Sequence, residues 1–258
     1  MSFQVDAALL LGFLLAFVRA AGWVATSPPF TTNGIPAMAK IGLSAGLALG
    51  VVGRFGSHSA FVAAIPTSTG GFIAAVVVQA IAGCVLGFGT TILFSAMQVA
   101  GGFIDLSAGL NLTAAIDPLS LQQEPVIGRL FNMTAMMLLF SSGAYLLLVE
   151  GFLTSFRGLP LSGLDFASTN AVLVSEIGTM LLSALELAAP LMAVLFLTNT
   201  LLGLLSRVAP QVNILALSFG LNVLVAVLLV GVLIPLLPGA TENLIQEAVR
   251  NGAGINGP

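Results

Sequence analysis

Long apolar runs separated by short polar stretches set the pattern of this chain. The 50 residues between Arg54 and Asp105 carry no formal charge, and neither do the 34 residues between Arg207 and Glu242. A helix needs about 20 such residues to cross the hydrocarbon core of a bilayer. The runs are continuous, whereas a membrane β-barrel would show short segments of alternating hydrophobicity. The pattern therefore predicts an all-α, polytopic membrane protein.

Six apolar segments predict about six hydrophobic helices or helical hairpins. They cover residues 7–25, 37–53, 72–100, 130–153, 171–205 and 208–237. Two of them, of 29 and 35 residues, correspond to roughly 44 and 52 Å of helix, against about 30 Å of hydrocarbon. We expect these two helices to tilt, to break or to project beyond the lipid. Pro190 lies inside the longest segment and predicts a break there, because proline removes a helix hydrogen bond.

Small and amide residues within the apolar runs indicate contacts between helices. Gly42, Gly46 and Gly50 fall on one helix face, and Gly83 and Gly87 repeat the spacing, which favours close packing of helices. An unpaired amide in hydrocarbon costs several kcal/mol, so we expect each amide side chain to hydrogen-bond to another helix or to line a wet cavity. These amides are Gln79, Gln98, Asn111, Asn132, Asn199, Gln211, Asn213 and Asn222.

Composition and charge exclude several kinds of function. The chain is 58% apolar and 7% charged, with a net charge of −3, and no basic patch indicates a nucleic-acid partner. Cys84 and His58 are the only residues of their types, so neither an internal disulfide nor a Cys/His metal cluster is predicted. No phosphate-binding loop ending in Gly-Lys-Ser/Thr occurs. The sequence predicts no enzyme, no cofactor and no metal site.

Ionisable residues in the apolar runs supply an alternative function. Glu150, Glu176 and Glu186 lie within or at the edge of such runs, and ionisable groups in membrane segments are functional candidates. Glu176 and Glu186 are ten residues apart, which places them about 80° apart around one helix rather than in a tight pair. A proton-coupled small-molecule transporter that uses these two carboxylates is one hypothesis. In the other, they meet partner subunits or lipid head groups.

Three stretches together resemble one known family. They are "SPPFTTNGIPAMAKIGLSAGLAL" at 27–49, "DPLSLQQEPVIGRLFN" at 117–132 and "GLLSRVAPQVNILALSFGLNVLVAVLL" at 203–229. The first resembles the Pro-x-Phe, Ile-Pro and Lys-Ile-Gly-Leu pattern of the FliR family, membrane components of the bacterial flagellar export apparatus. The second and third resemble the Gln-Gln-x-Pro-x-x-Gly-Arg-x-Phe-Asn and Arg-x-Ala-Pro-Gln-x-Asn motifs of that family. The matches occur in the family's order.

The resemblance implies an export-gate subunit of the bacterial inner membrane. Members of the family are similar in fold to fused FliP-like and FliQ-like units. With FliP-like and FliQ-like subunits they build a helical assembly around a pore for unfolded flagellar proteins, alongside FlhA-like and FlhB-like components. We therefore expect residues 1–258 to form a single export-gate domain in contact with membrane lipid, with a polar tail at 238–258. A homologous subunit of a virulence secretion system is the alternative within the same family.

The resemblance also implies a role for the central polar segment. It indicates that a loop at 101–128 enters the pore and helps to plug the closed channel. Irregular backbone at membrane depth is tolerated when it is buried in protein or faces water. The candidate plug and pore residues are Phe103, Ile104, Asp105, Leu106, Leu110, Asn111 and Leu112. The candidate assembly and anchor residues are Arg19, Asp117, Gln122, Gln123, Glu124, Arg129, Asn132, Arg207, Gln211 and Asn213.

Overall fold

Helices make up all the regular structure that the computed structural model describes. It describes residues 7–31, 34–55, 65, 68–110, 125–158, 166–209, 211 and 213–241. The helices are α1 (Ala7–Thr26), α2 (Pro28–Thr31), α3 (Ala37–Phe55), α4 (Thr69–Ala108), α5 (Val126–Ser141), α6 (Tyr145–Gly158), α7 (Phe166–Val208) and α8 (Ile214–Leu233). A short 3-10 turn, Ile234–Leu236, follows α8, and residues 237–241 are again helical. The all-α prediction is confirmed.

Five of these helices are long and apolar enough to cross a membrane, and the pair α5 and α6 passes the same test together as a kinked sixth span. Helix α4 has 40 residues and helix α7 has 43. Both exceed the roughly 20 residues that a span requires. The prediction of about six hydrophobic helices, some overlong or kinked, is therefore confirmed.

The position of the break differs from the prediction. Pro190 lies inside α7, which continues through it as one helix, so the predicted break there is wrong. The break falls instead in the segment at 130–153, where α5 ends at Ser141 and α6 begins at Tyr145. Gly143 in this break has φ +75°, a backbone conformation that favours glycine. A single proline removes one hydrogen bond from a long helix, whereas a left-handed residue cannot continue it.

The described residues group into two compact units. The described residues of the first unit lie within 7–92 and 145–176, and those of the second lie within 93–144 and 177–241. In the first unit, α1 packs against α3 and meets α4 at close range. A Cβ at Gly83 would collide with the carbonyl oxygen of Arg19, and one at Gly87 would collide with the side chain of Thr26. The predicted close packing at Gly83 and Gly87 is confirmed.

The other glycine face has a different environment. Among the described residues, no atom lies within 4 Å of a Cβ built at Gly42, Gly46 or Gly50. Helix α3 turns another face inward, where Ala48 and Val51 are fully buried. The close packing predicted at these three glycines is therefore not made within the described part of the chain.

In the second unit, the end of α4 lies directly against the start of α5. A Cβ at Gly101 would collide with the backbone of Gly128, and a Cβ at Gly128 would lie 2.8 Å from the carbonyl oxygen of Gln98. Ile104 and Phe131, one turn further along each helix, are fully buried. The two glycines thus allow the helix backbones to touch where the central polar segment leaves and rejoins the helices.

Candidate functional site

The site predicted from the sequence surrounds the central polar segment, and the structure describes both of its ends. Helix α4 continues through Gly101 and Gly102 to Ala108, so the first eight residues of the predicted loop are helical. The helix stops at Gly109, whose φ is +72°. The amide nitrogens of Gly109 and Leu110 donate to the carbonyls of Leu106 and Asp105, at 3.2 and 3.0 Å. These two hydrogen bonds around a left-handed glycine form the Schellman motif, which ends many helices.

An amide network holds the same helix end. Asn199 of α7 donates from Nδ2 to the carbonyl oxygen of Ser107 at 3.2 Å. Asn222 of α8 donates in turn to Asn199 Oδ1 at 2.7 Å. The last carbonyls of a helix have no partner within the helix, so the network satisfies one of them. The prediction that these two amides hydrogen-bond to other helices is confirmed.

A cavity of about 380 Å³ lies beside this network, lined by Ser107, Met192, Ala193, Phe196 and Asn199. Its walls are mainly apolar.

Asp105 makes the contact that joins the two ends of the segment. Its side chain is fully buried. The carboxyl oxygen Oδ2 accepts hydrogen bonds from the backbone nitrogens of Ile127 at 2.9 Å and Gly128 at 3.3 Å. The other oxygen, Oδ1, has no hydrogen-bond partner. Asp105 therefore lies within the protein, against the first turn of α5.

The predicted pore residues have different exposures. Leu106 is 68% exposed, Phe103 and Leu110 are half-buried, and Ile104 is fully buried. Asn111 and Leu112 lie outside the described residues. In this chain, the described residues open to other molecules at the predicted plug are Leu106 and, in part, Phe103 and Leu110.

Arg19, a predicted assembly residue, is instead an internal contact of the first unit. It is fully buried. Its Nε donates to Gln79 Oε1 at 2.6 Å, and its guanidinium also donates to the carbonyl oxygen of Ser155 at 3.3 Å. The guanidinium lies 4.1 Å from the centre of the Phe156 ring, within the range of cation–π attraction. Arg19 thus joins α1 to α4 and α6.

The remaining assembly candidates differ in exposure, and four of them lie outside the described residues. Arg129, Arg207 and Gln211 are exposed. Asn132 is half-buried, and its Oδ1 is buried without a hydrogen-bond partner. Asn213 is exposed and caps α8, because its Oδ1 accepts from the backbone nitrogen of Ala216 at 3.3 Å. The candidates outside the described residues are Asp117, Gln122, Gln123 and Glu124.

The carboxylates of the transporter hypothesis lie in unlike environments. Glu176 is buried, and a Cβ at Gly89 would lie 3.1 Å from its Oε2. Glu186 is exposed. Helix α7 therefore does not present the two paired carboxylates that a relay would need.

The described residues assemble neither a cluster of metal ligands nor a nucleophile elbow at Ser44. Where the structure describes the chain, no three His, Cys, Asp or Glu side chains come together as they would around a metal ion. Ser44 stands in a Gly-x-Ser-x-Gly sequence at 42–46. It lies in the middle of α3, where its hydroxyl donates to the Lys40 carbonyl at 2.8 Å. A nucleophile elbow requires a sharp strand-to-helix turn instead.

Comparison with known proteins identifies the family of this chain. A model of the family described as bacterial export proteins, family 1, matches residues 10–248. The chain belongs to this family. As a member of bacterial export proteins, family 1, it is a non-enzymatic component of type III export, and it resides in the bacterial cell (inner) membrane.

Relatives in this family come from two kinds of system. The chain is 29% identical to flagellar biosynthetic protein FliR of Escherichia coli (strain K12), over 89% of this chain and 87% of the relative. It is 26% identical to the protein of the same name from Bacillus subtilis (strain 168), over 94% and 95%. It is 31% identical to Yop proteins translocation protein T of Yersinia pestis, over 58% and 59%.

Sequence reasoning found the central segment but missed the contact at its base. Asp105 was assigned to the pore through the family resemblance, as part of the segment at 101–128. Its partners lie 22 and 23 residues further along. One available signal was Pro125, since a helix that starts after proline has no side-chain acceptor at its first position. Because Pro125 offers no acceptor, the first backbone N–H groups of α5 need one from elsewhere in the chain.

Proposed function

We propose that this chain is a core subunit of the flagellar type III protein export gate. In this proposal it assembles with FliP-like and FliQ-like subunits, near FlhB-like and FlhA-like components, around a pore that passes unfolded flagellar proteins. The observation that carries the proposal is the family match over residues 10–248, together with flagellar relatives that align over about nine-tenths of the chain.

The exposed surface of the single chain is consistent with assembly. Long helices such as α7 present large apolar side chains, including Val174, Leu182, Phe196 and Val208, each more than 60% exposed. Helix α7 exceeds the thickness of the hydrocarbon, so lipid alone does not cover it. Partner subunits are the natural cover for the part that lies outside the lipid.

Within this proposal, the segment at 101–128 helps to close the channel. Leu106 is the most exposed of the described residues at its start, and we assign it, with Phe103 and Leu110, to the channel side. The buried Ile104 and Asp105 support the helix from which these residues project. The exposed cations Arg129 and Arg207 are assigned to contacts with other subunits.

Deletion and crosslinking test the proposal. We expect deletion of the gene to abolish flagellar assembly and export of flagellar subunits. A photoreactive residue at position 106 should crosslink to an export substrate stalled in the channel, whereas one at Met38, which is 81% exposed on α3, serves as a matched exposed control. Normal flagella in the deletion strain would refute the proposal. Absence of a substrate crosslink at 103, 106 and 110 would refute the channel assignment.

A second test addresses closure. Deletion of residues 106–112 should make membranes that contain the assembled complex leaky to ions or small solutes. Replacement of the same seven positions by alanine and serine, which keeps the length, is the control for loss of length alone. If the deletion leaves permeability unchanged while the complex still assembles, the segment has no part in closure.

A virulence-type secretion subunit is the second candidate, favoured by the higher identity of 31% to the Yersinia pestis relative over 154 residues. The two candidates differ in their complementing activity. A flagellar subunit should restore motility to a strain that lacks its flagellar homologue, and a virulence subunit should restore secretion of virulence effectors instead.

A further inference from the structure

Helix α5 begins without a cap of its own. Pro125 occupies the position before its first residue, with φ −53° and ψ 128°, and makes no side-chain hydrogen bond to the helix. The first backbone N–H groups of a helix have no partner within it. A Ser, Thr, Asp or Asn at the Pro125 position would accept from the N–H groups of the second or third helical residue. Here those residues are Ile127 and Gly128.

The missing acceptor comes from another helix. Asp105 Oδ2 accepts from the nitrogens of Ile127 and Gly128, at 2.9 and 3.3 Å. These are the N–H groups that a local cap would have bound. We propose that Asp105 is the N-cap of α5, supplied from α4, and that it positions the start of α5 against the end of α4. Its effect on export rests on the proposed function, whereas the capping does not.

The packing of the two helices brings this short side chain within reach. Gly101 and Gly128 lie backbone to backbone, and a Cβ at Gly102 would be 3.6 Å from Cγ of Pro125. At this separation an aspartate spans the gap between the helices. Asp105 lies one turn after Gly101. The two helices are so close here that the glycines have no room for a side chain, and this short distance also fixes how long a capping side chain at position 105 can be.

The opposite side of the α4 end is held as well. Asn199 donates to the carbonyl oxygen of Ser107, and Asn222 donates to Asn199. Helix α4 therefore ends at a position fixed by α7 and α8, and Asp105 transfers that position to α5. As a positioning residue, Asp105 sets the separation of the two helix ends that flank residues 111–124.

A capping role and a charge-based role of Asp105 predict different effects of substitutions at position 105. Asparagine is as good an N-cap as aspartate, because its side-chain oxygen accepts the same hydrogen bonds. Asp105→Asn should therefore retain the function, and Asp105→Ala should lose it. If Asp105 acted through its charge, for example toward a cation or a basic substrate, the two variants would be equally impaired.

The decisive variant restores the cap locally. Pro125→Ser places a capping hydroxyl at the usual position, so Asp105→Ala combined with Pro125→Ser should recover what Asp105→Ala loses. Pro125→Ser alone controls for loss of the proline. Met133→Ala is the matched control for truncation of a side chain near the start of α5, since Met133 is 50% exposed and is assigned no contact in the channel or with Asp105.

The first measurement is amide hydrogen exchange at residues 126–132, in the full chain purified with the subunits that accompany it. Loss of the acceptor for two N–H groups should accelerate exchange there roughly five- to thirtyfold in Asp105→Ala. Asp105→Asn and the double variant should return to within about threefold of the wild-type rate, since exchanging one capping residue for another changes stability little. Unchanged exchange in Asp105→Ala, or no recovery in the double variant, overturns the capping assignment.

The second measurement is secretion of a flagellar subunit by cells that carry the same variants. Secretion should fall in Asp105→Ala and recover in Asp105→Asn and in the double variant. If exchange recovers in the double variant while secretion does not, the positioning role is overturned and the cap alone stands. If the wild-type chain supports no secretion in a flagellar strain, the proposed function fails, and the exchange data still decide the capping.

Discussion

Removal of the buried guanidinium of Arg19 should destabilise the first unit, and the loss should depend on Gln79. The change Arg19→Met keeps an unbranched apolar stem and removes the donor to Gln79 Oε1 at 2.6 Å. The variant also gives up the contacts of the guanidinium with Ser155 and with the Phe156 ring. Gln79 is fully buried and its Nε2 has no hydrogen-bond partner, so the variant leaves the whole amide without the partner that now satisfies Oε1.

The expected magnitude follows from these contacts. Arg19→Met leaves the buried, neutral amide of Gln79 without its donor, and a buried polar group left unsatisfied costs about 1–3 kcal/mol. Gln79→Leu should cost about 1–3 kcal/mol by stranding the guanidinium donor. The double variant Arg19→Met/Gln79→Leu removes both polar groups at once. Its loss should therefore be smaller than the sum of the two single losses by about 1–3 kcal/mol.

The single tryptophan supplies the assay. Trp23 is buried and stacks on Phe152 with ring centroids 5.0 Å apart, in the same unit as Arg19. Its fluorescence should follow unfolding of the purified chain in detergent micelles as denaturant is added. Losses that add within about 0.5 kcal/mol would show that the two residues act independently. That result would refute the proposed energetic coupling between Arg19 and Gln79.

Three further predictions concern the free energy of unfolding. Trp23 fluorescence reports it for variants of the first unit, and circular dichroism of the helices reports it for variants of the second. Gly83→Ala should lower the free energy of unfolding by about 1–3 kcal/mol through overpacking. Gly46 has open space around it, so Gly46→Ala should raise the free energy of unfolding by up to about 1 kcal/mol. Equal effects of the two variants would contradict the packing described for α1 and α4. Asn213→Ala should cost about 1 kcal/mol through loss of the α8 cap, and Asn213→Ser much less; equal losses would argue against capping. Asn222→Ala should cost about 0.6–1.7 kcal/mol, and should cost nothing further once Asn199 is also alanine.

The apolar pattern was sufficient to predict the helices, and insufficient to predict where α4 begins and ends. Residues 72–100 were expected to form one helix, and α4 extends at both ends to Thr69 and Ala108. The resemblance placed the start of a loop at Gly101 and Gly102, where the structure has helix. The backbone contact of Gly101 with Gly128 is a tertiary effect that a local pattern does not contain. The actual stop is Gly109, which takes a positive φ.

The sequence located the polar central segment, and it did not predict the contacts at the base of that segment. Three motifs located the central segment, and the expectation that Asn199 and Asn222 bond to other helices is confirmed. Asp105 was predicted at the plug and Arg19 at an assembly contact, and both are buried within the chain. A polar residue in an apolar run has the same appearance in a sequence whether it faces another subunit or another helix of its own chain. The pairing of distant residues decides between the two.

The length of α7 has a consequence for the synthesis of this protein. Its 43 residues form a helix of roughly 65 Å, which still spans about 50 Å of depth at a steep tilt of 40°, against about 30 Å of hydrocarbon. A newly made copy without partners therefore displays leucine, valine and phenylalanine side chains to water or head groups. Such a copy is exposed to membrane proteases and to aggregation. In the proposed assembly, the supply of the partner subunits therefore has to keep pace with the translation of this chain.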